Sequence, residues 1–256
     1  MNRRAIQSII VILLLFNGLQ YAQEASLESA FQKGNQLYNQ KNYTEAIQNY
    51  KKVLRAGYES GKLYYNLGNA YYKNGEIGKA ILNYERARKF LPDDKNIEFN
   101  LELARLKIKD KIDRPSEFII FRWIQEGIDN LTATGWALVF SITIFIISVI
   151  YAIQSLSSSE RIRNITRPLM TSFVLILLLS IYPLYYQHKM QNRKDRGIIL
   201  KEEIETVAAP QRGSTTLFLI HKGTKVKIID RDDNWLKIEL IDGKQGWIES
   251  EAIGII

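Results

Sequence analysis

The chain has no cysteine among its 256 residues. That excludes disulfides, thiolate metal sites and a lipid-modified cysteine near the start. Histidine is nearly absent as well: His188 and His221 stand far apart in the sequence, the second inside a strand pattern. No histidine-rich metal or proton-transfer cluster is available, and no nucleophile stands beside a base, so the expectation is a protein that is not an enzyme and carries no cofactor. Charge of either sign is missing from two long stretches, 136–153 and 168–186. An average composition of 46% apolar and 24% charged residues therefore conceals segregation of the two.

The net charge of +8 is also unevenly placed. Residues 23–113 carry +4 and residues 196–256 carry −1, while the basic residues of 154–195 flank the charge-free runs. Cationic side chains in that position meet anionic lipid head groups. This distribution fits a lipid bilayer as partner and argues against nucleic acid.

Residues 1–22 begin with Arg3 and Arg4, continue with an apolar run from Ile6 to Phe16 and end on Gly18 and Ala22. The pattern is that of a secretory signal, cleaved or retained as an anchor, and either form exports the residues after it.

A shift of thirty-four residues superposes Gly34 on Gly68, Tyr38 on Tyr72, Ala46 on Ala80, Ile47 on Ile81 and Tyr50 on Tyr84. The copy at 61–94 places Tyr64, Leu67, Gly68, Tyr71, Ala80, Tyr84, Ala87 and Pro92 where the tetratricopeptide repeat has its signature residues. Gly68 and Ala80 give two antiparallel helices room to approach, and the tyrosines fill the space between them. The looser copy at 27–60 keeps the spacing. An amphipathic stretch at 96–112, with Ile97, Leu101, Ala104 and Ile108 on one stripe, is expected to cap a domain covering 25–113.

In this fold the first helix of each repeat lines the concave face. That assigns Phe31, Asn35, Tyr38, Tyr65, Asn66, Asn69, Tyr72 and Lys73 to a peptide-binding groove. Asn35 and Asn66 resemble the asparagines that clamp a peptide carboxylate in chaperone-binding repeats, but Phe31 and Asn96 replace that clamp's lysines.

After a linker at 114–135, each charge-free run is long enough to cross the hydrocarbon layer, giving transmembrane helices at 136–153 and 168–186 joined by a loop at 154–167. Trp136, Tyr182, Tyr185 and Tyr186 lie at their ends, as interfacial aromatics do. An exported start puts the repeats outside, the loop with Arg161, Arg163 and Arg167 inside, and the tail outside again. Lys189, Arg193, Lys194 and Arg196 run against that polarity. With no ionisable residue at mid-membrane depth, the runs lack an ion path.

Beyond a second linker, 187–197, the period changes to two. Val226 and Ile228 alternate with lysines, and Leu236, Ile238 and Leu240 alternate with Lys237 and Glu239. Turn residues separate these runs, including Asp242-Gly243. The stretches from Gly223, from Asn234-Trp235 and from Gly246-Trp247 resemble the bacterial SH3-like domain, implying a small all-β barrel at 198–256. Trp235 is its candidate ligand platform, with Trp247 the weaker candidate beside it. Such domains often bind peptidoglycan or proteins, so the wall is a second possible partner.

The expected fold is thus a multidomain membrane protein: an α-helical tetratricopeptide solenoid, two transmembrane helices and a small all-β SH3-like barrel. This order, together with Ala104-Arg-Leu-Lys-Ile-Lys-Asp-Lys-Ile-Asp-Arg-Pro115 leading to Gly135-Trp136, resembles the BatE family of Bat aerotolerance proteins. The resemblance implies a bacterial inner-membrane scaffold that assembles with other Bat-type membrane proteins and supports stress resistance, its two modules in the periplasm. The alternative is a peptidoglycan anchor acting through the SH3-like domain.

Overall fold

The computed structural model describes residues 25–112, 127–128, 131, 133–191 and 195–256. The signal segment 1–22 and most of the linker at 114–135 lie outside the described residues. Two compact units emerge: Met1–Arg114 with Lys194–Ile256, and Pro115–Arg193.

In the first unit, five helices follow the repeat. They are α1 (residues 25–39), α2 (Tyr43–Arg55), α3 (Gly61–Lys73), α4 (Ile77–Phe90) and α5 (Lys95–Arg105). Ser60 caps α3 by accepting from the Leu63 amide, and Asp94 caps α5 by accepting from the amides of Asn96 and Ile97. Each pair closes where a glycine faces a tyrosine. A methyl group on Gly34 would lie 2.6 Å from the Tyr50 ring, and one on Gly68 would lie 2.7 Å from the Tyr84 ring. Neither ring can retreat, because Tyr50 and Tyr84 are fully buried. The turns also repeat: Gly75 and, thirty-four residues earlier, Lys41 both adopt positive φ, a conformation that only the glycine takes without strain.

The capping helix is shorter than the apolar spacing predicts, ending at Arg105 and not at Ile112. Residues 106–112 leave the helix because their side chains are wanted elsewhere. Ile108 seats against Gly223, Ile112 joins the apolar core of the tail, and Asp110 accepts from the His221 backbone amide and from the Thr224 hydroxyl at 2.7 Å each.

The tail is a seven-stranded antiparallel sheet: β1 (Arg196–Ile199), β2 (Glu203–Val207), β3 (Thr216–His221), β4 (Lys225–Asp232), β5 (Trp235–Glu239), β6 (Gln245–Glu249) and β7 (Ile253–Ile255), in spatial order β3-β2-β6-β5-β4-β1-β7. Inward residues of β1, β3, β4, β5, β6 and β7 converge on one core, including Ile199, Ile220, Val226, Ile238 and Ile248. This is the all-β SH3-like element, and it begins two residues before the expected boundary.

Repeats and sheet are not separate modules. The solenoid core takes in Ile198 as a buried member and continues onto Leu200 and Ile256. Helix α4 is buried on more than one side because α3 covers one face and the sheet another: Leu82 meets Gly254, and Gly78 comes within 3.1 Å of the Ile199 carbonyl on adding a methyl group. Arg86 donates twice to the Ile255 carbonyl, at 2.6 and 3.1 Å. At the centre lies Glu85, 3% exposed, which pairs with Arg88 at 2.6 Å, Arg105 at 2.9 Å and, from the sheet, Lys225 at 2.8 Å.

The second unit contains α6 (Ala133–Leu156) and α7 (Glu160–Gln191), packed as a hairpin. Both helices extend beyond the expected spans, so the joining loop contracts from 154–167 to residues 157–159. Pro168 and Pro183 both lie inside α7. Thr143, Ser148, Ser172 and Ser180 return their hydroxyls to carbonyls of their own helices, as hydroxyls in apolar surroundings do.

The Glu85 cluster sets a pH dependence. Burial pushes the carboxyl up, but Lys225, Arg88 and Arg105 outweigh it and hold the value at about 2. A carboxylate with a depressed folded value stabilises above its unfolded value of about 4.3, and that stabilisation is lost as pH falls through the folded one. We therefore expect the melting temperature in detergent to fall between about pH 5 and about pH 2. Glu85→Gln should cost about 3 kcal/mol near neutrality, the low end for a broken buried pair because the three cations that lose their counter-charge are only partly buried, and should flatten the acid limb. A Glu85→Gln protein with unchanged stability and acid profile would contradict this role.

Candidate functional site

The candidate groove residues come from α1 and α3, one repeat apart, and hydrogen bonds link several of them. Tyr50 and Tyr84 each reach from the second helix of a repeat to an asparagine on the first: the Tyr50 hydroxyl donates to Asn35 Oδ1 at 2.9 Å, and the Tyr84 hydroxyl to Asn69 Oδ1 at 2.8 Å. Burial pushes both phenols well above their usual value, so both hydroxyls remain protonated donors. The same asparagine oxygens accept a second bond from the next repeat. Asn66 donates to Asn35 at 2.9 Å, and Asn100 donates to Asn69 at 2.9 Å.

These bonds orient the amides. With the Asn35 and Asn69 oxygens so occupied, the Asn69 amide nitrogen and the Asn66 and Asn100 carbonyl oxygens keep hydrogen-bonding capacity beyond these pairs. An N–H donor beside a C=O acceptor is the complement of a peptide backbone.

The aromatic residues divide by function. The ring of Phe31 lies 5.9 Å from that of Tyr50, and the ring of Tyr65 lies 6.1 Å from that of Tyr84, so each is half-buried against its own repeat. Tyr38 leans on Tyr43 at 5.5 Å. Tyr72 carries the Lys107 ammonium 4.4 Å above its ring, a cation–π contact, while Lys73 is exposed. All eight groove residues predicted from the repeat lie on α1 and α3, and Asn35 and Asn66 touch directly.

Asn100 was not among the predicted residues. Its signal was present, since it lies thirty-four residues after Asn66, just as Lys107 follows Lys73. Reading α5 purely as a cap concealed its groove-facing side.

On the sheet, Trp235 pairs with Glu249 and Trp247 with Lys237, so the strand alternation puts both tryptophans on the outward face, diagonally related on neighbouring strands. Both are half-exposed, and neither belongs to the sheet core. His221 is more than a solitary strand histidine. Its Nδ1 lies 2.6 Å from Asp110 and its Nε2 lies 3.0 Å from Glu203 and 2.7 Å from the Lys109 ammonium, tying the end of the repeats to the sheet. Burial raises the Asp110 carboxyl, but bonds from Thr224 and His221 prevail and hold it below the usual range. Among the described residues no cluster of three or more histidine, aspartate or glutamate side chains has the arrangement of a metal site.

Comparison with known proteins matches both parts of this unit. Residues 61–94 match the tetratricopeptide repeat family and residues 34–75 a TPR repeat family, while residues 208–254 match the bacterial SH3 domain family. Sperm-associated antigen 1 of Rattus norvegicus is 28% identical over 102 residues, which is 38% of this chain and 11% of that protein. The C-terminal SH3 domain of myosin IB from Entamoeba histolytica, solved alone and with a bound peptide, is 22% identical with a TM-score of 0.16, the match covering 21% of this chain and 90% of that one. The chain thus carries tetratricopeptide repeats followed by a bacterial SH3 domain.

Proposed function

We propose that this chain is a scaffold, not an enzyme, tethered to a bacterial inner membrane, and that it assembles a Bat-type envelope complex linked to aerotolerance or stress resistance through protein–protein contacts. One observation carries the shared placement of the two modules, while the Bat-type complex rests on the family resemblance alone. Residues before and after the two long apolar helices pack into a single unit, with Glu85 bonded to Lys225 and Asp110 to His221. Segments that touch lie on one side of any bilayer, so the chain between them crosses it an even number of times.

Two helices fit that requirement. Thr134–Leu156 and Glu160–Tyr186 are long enough to span, and only 11% of each apolar window is buried, whereas the core helix of a soluble protein would be mostly buried. Outward-facing Leu138, Phe145, Leu175 and Leu179 find their solvent in lipid. With an exported start, repeats and sheet share the periplasmic face. The basic residues after the second span then yield to the packed unit, because separating the sheet from the repeats would expose the Glu85 cluster.

The absence of native cysteine makes the topology directly testable. Lys73→Cys and Lys244→Cys, introduced singly, should both react with an impermeant maleimide in intact spheroplasts. Labelling of one and protection of the other would refute the shared side, and protection of both would reverse the orientation.

A second reading, wall binding, is favoured by the outward Trp235–Trp247 pair in a sheet that matches the bacterial SH3 family. Indole faces stack on sugar rings. The two readings separate on the full chain in detergent. Under the scaffold reading, membrane-protein partners co-purify and are lost on Tyr65→Ala with Tyr72→Ala, and the chain stays soluble with purified peptidoglycan. Under the wall reading it sediments with the wall, and Trp235→Ala abolishes this.

A further inference from the structure

The two repeats differ in how the space between their helices is filled. In the second, Tyr64 closes the gap between α3 and α4: it is buried, its ring lies 5.8 Å from that of Phe90, and the Arg86 guanidinium stands 5.6 Å from its centroid. A shift of thirty-four residues carries Tyr64 back to Ala30, Phe90 to Ala56, Arg86 to Lys52, Leu67 to Lys33 and Leu63 to Ser29. The first repeat thus has neither ring. It keeps a cation at the arginine's place and puts a second where Leu67 is buried.

The result is a cavity of 370 Å³ between α1 and α2, lined by Ser26, Ser29, Ala30, Lys33, Asn49 and Lys52 together with Leu27. That volume falls at the lower end of small-molecule sites, which run from about 300 Å³ upwards. Phe31, Asn35 and Tyr38 on α1 are not among its lining residues, so it is separate from the candidate groove.

A polar outer face is ordinary for the first repeat of a solenoid. Such a cap needs no hole, however, and this lining holds two ammonium groups and no carboxylate. Neither lysine forms an ion pair among the described residues; Lys33 only reaches Gln36 Oε1, at 3.3 Å. Glu28, the neighbouring carboxylate on α1, accepts from Gln32 instead. Asn49 donates one N–H to the Glu45 carbonyl at 2.9 Å and keeps its second.

Two ammonium groups, two hydroxyls and an amide N–H are therefore donors gathered without an anion. A carboxylate would satisfy few of them. A phosphoryl group brings three acceptor oxygens and about two negative charges, and lysine is well suited to it as a point charge. We infer that the cavity between α1 and α2 binds a phosphate monoester, its phosphoryl group held by Lys33 and Lys52 with Ser26 and Ser29 donating to its oxygens. The same group is offered by a small soluble ester and by a lipid head group.

The test uses the full chain in maltoside micelles, whose head groups are uncharged, titrated separately with inorganic phosphate, glycerol 3-phosphate and dihexanoyl phosphatidic acid. Saturable, one-to-one binding is expected by calorimetry, with a matching rise in melting temperature. Lys33→Gln with Lys52→Gln should weaken it at least about tenfold, the scale of lost charge-assisted bonds. Ala30→Tyr, which returns a ring to the seat and keeps both lysines, should abolish binding and raise the melting temperature of the unliganded chain. Binding that survives Ala30→Tyr in a folded chain arises from surface charge and overturns the inference. Binding indifferent to the lysine pair overturns it too, as does no binding of any of the three probes. Equal affinity for glycerol 3-phosphate and the lipid supports a soluble ester, whereas a preference for the lipid of about tenfold or more, lost in the same variants, supports a head group.

Discussion

A buried carboxylate on α4 governs how this molecule is assembled. Glu85 cannot be left unpaired at 3% exposure, and its own helical neighbourhood supplies Arg88 and Arg105. The third cation comes from Lys225 on β4, far along the chain. Burial draws the Lys225 ammonium down to about 8, against the attraction of Glu85, so the pair is asymmetric: one carboxylate serves several cations, and Lys225 also feels Arg88 and Arg196. Breaking such a buried cluster costs far more than it contributes when intact. That asymmetry makes it a device for holding one arrangement of repeats and sheet.

Once the sheet is seated on α4, much else is settled. The two tryptophans of β5 and β6 face outward, and the candidate groove residues of α1 and α3 stay partly exposed. The scaffold thus presents two surfaces in a fixed relation on one body, rather than two modules on flexible strings. A bilayer crossed an even number of times between them is compatible with this body; an odd number is not.

Period and composition made the elements legible. Gly34 and Gly68, with Tyr50 and Tyr84, identify the paired helices because close approach needs a small residue opposite a large one. The alternation around Leu236 and Ile238 identifies strands for an equally local reason. What escaped was tertiary. Ile108 and Ile112 continue a helical stripe in sequence, yet they serve the sheet, and no local propensity announces that. Glu85 looks like any surface carboxylate of an amphipathic helix until the sheet covers it. Beside the candidate groove, Asn100 and Lys107 were legible at a shift of thirty-four, but the apolar stripe of Ile97, Leu101 and Ala104 favoured reading α5 as a terminal cap. Ile97, Leu101 and Ala104 on one side of α5 are buried, while Asn100 bonds to Tyr65 and Asn69 of the preceding repeat.

The seating of the sheet on α4 is most directly measured by a disulfide between Leu82→Cys and Gly254→Cys in native membranes. A side chain added at Gly254 points straight at Leu82, and shortening Leu82 makes room for the bond. The account predicts rapid, near-complete cross-linking on mild oxidation, with each single substitution unreactive. Two thiols that remain free under those conditions, in a chain that is folded and inserted, would mean that repeats and sheet are separate bodies.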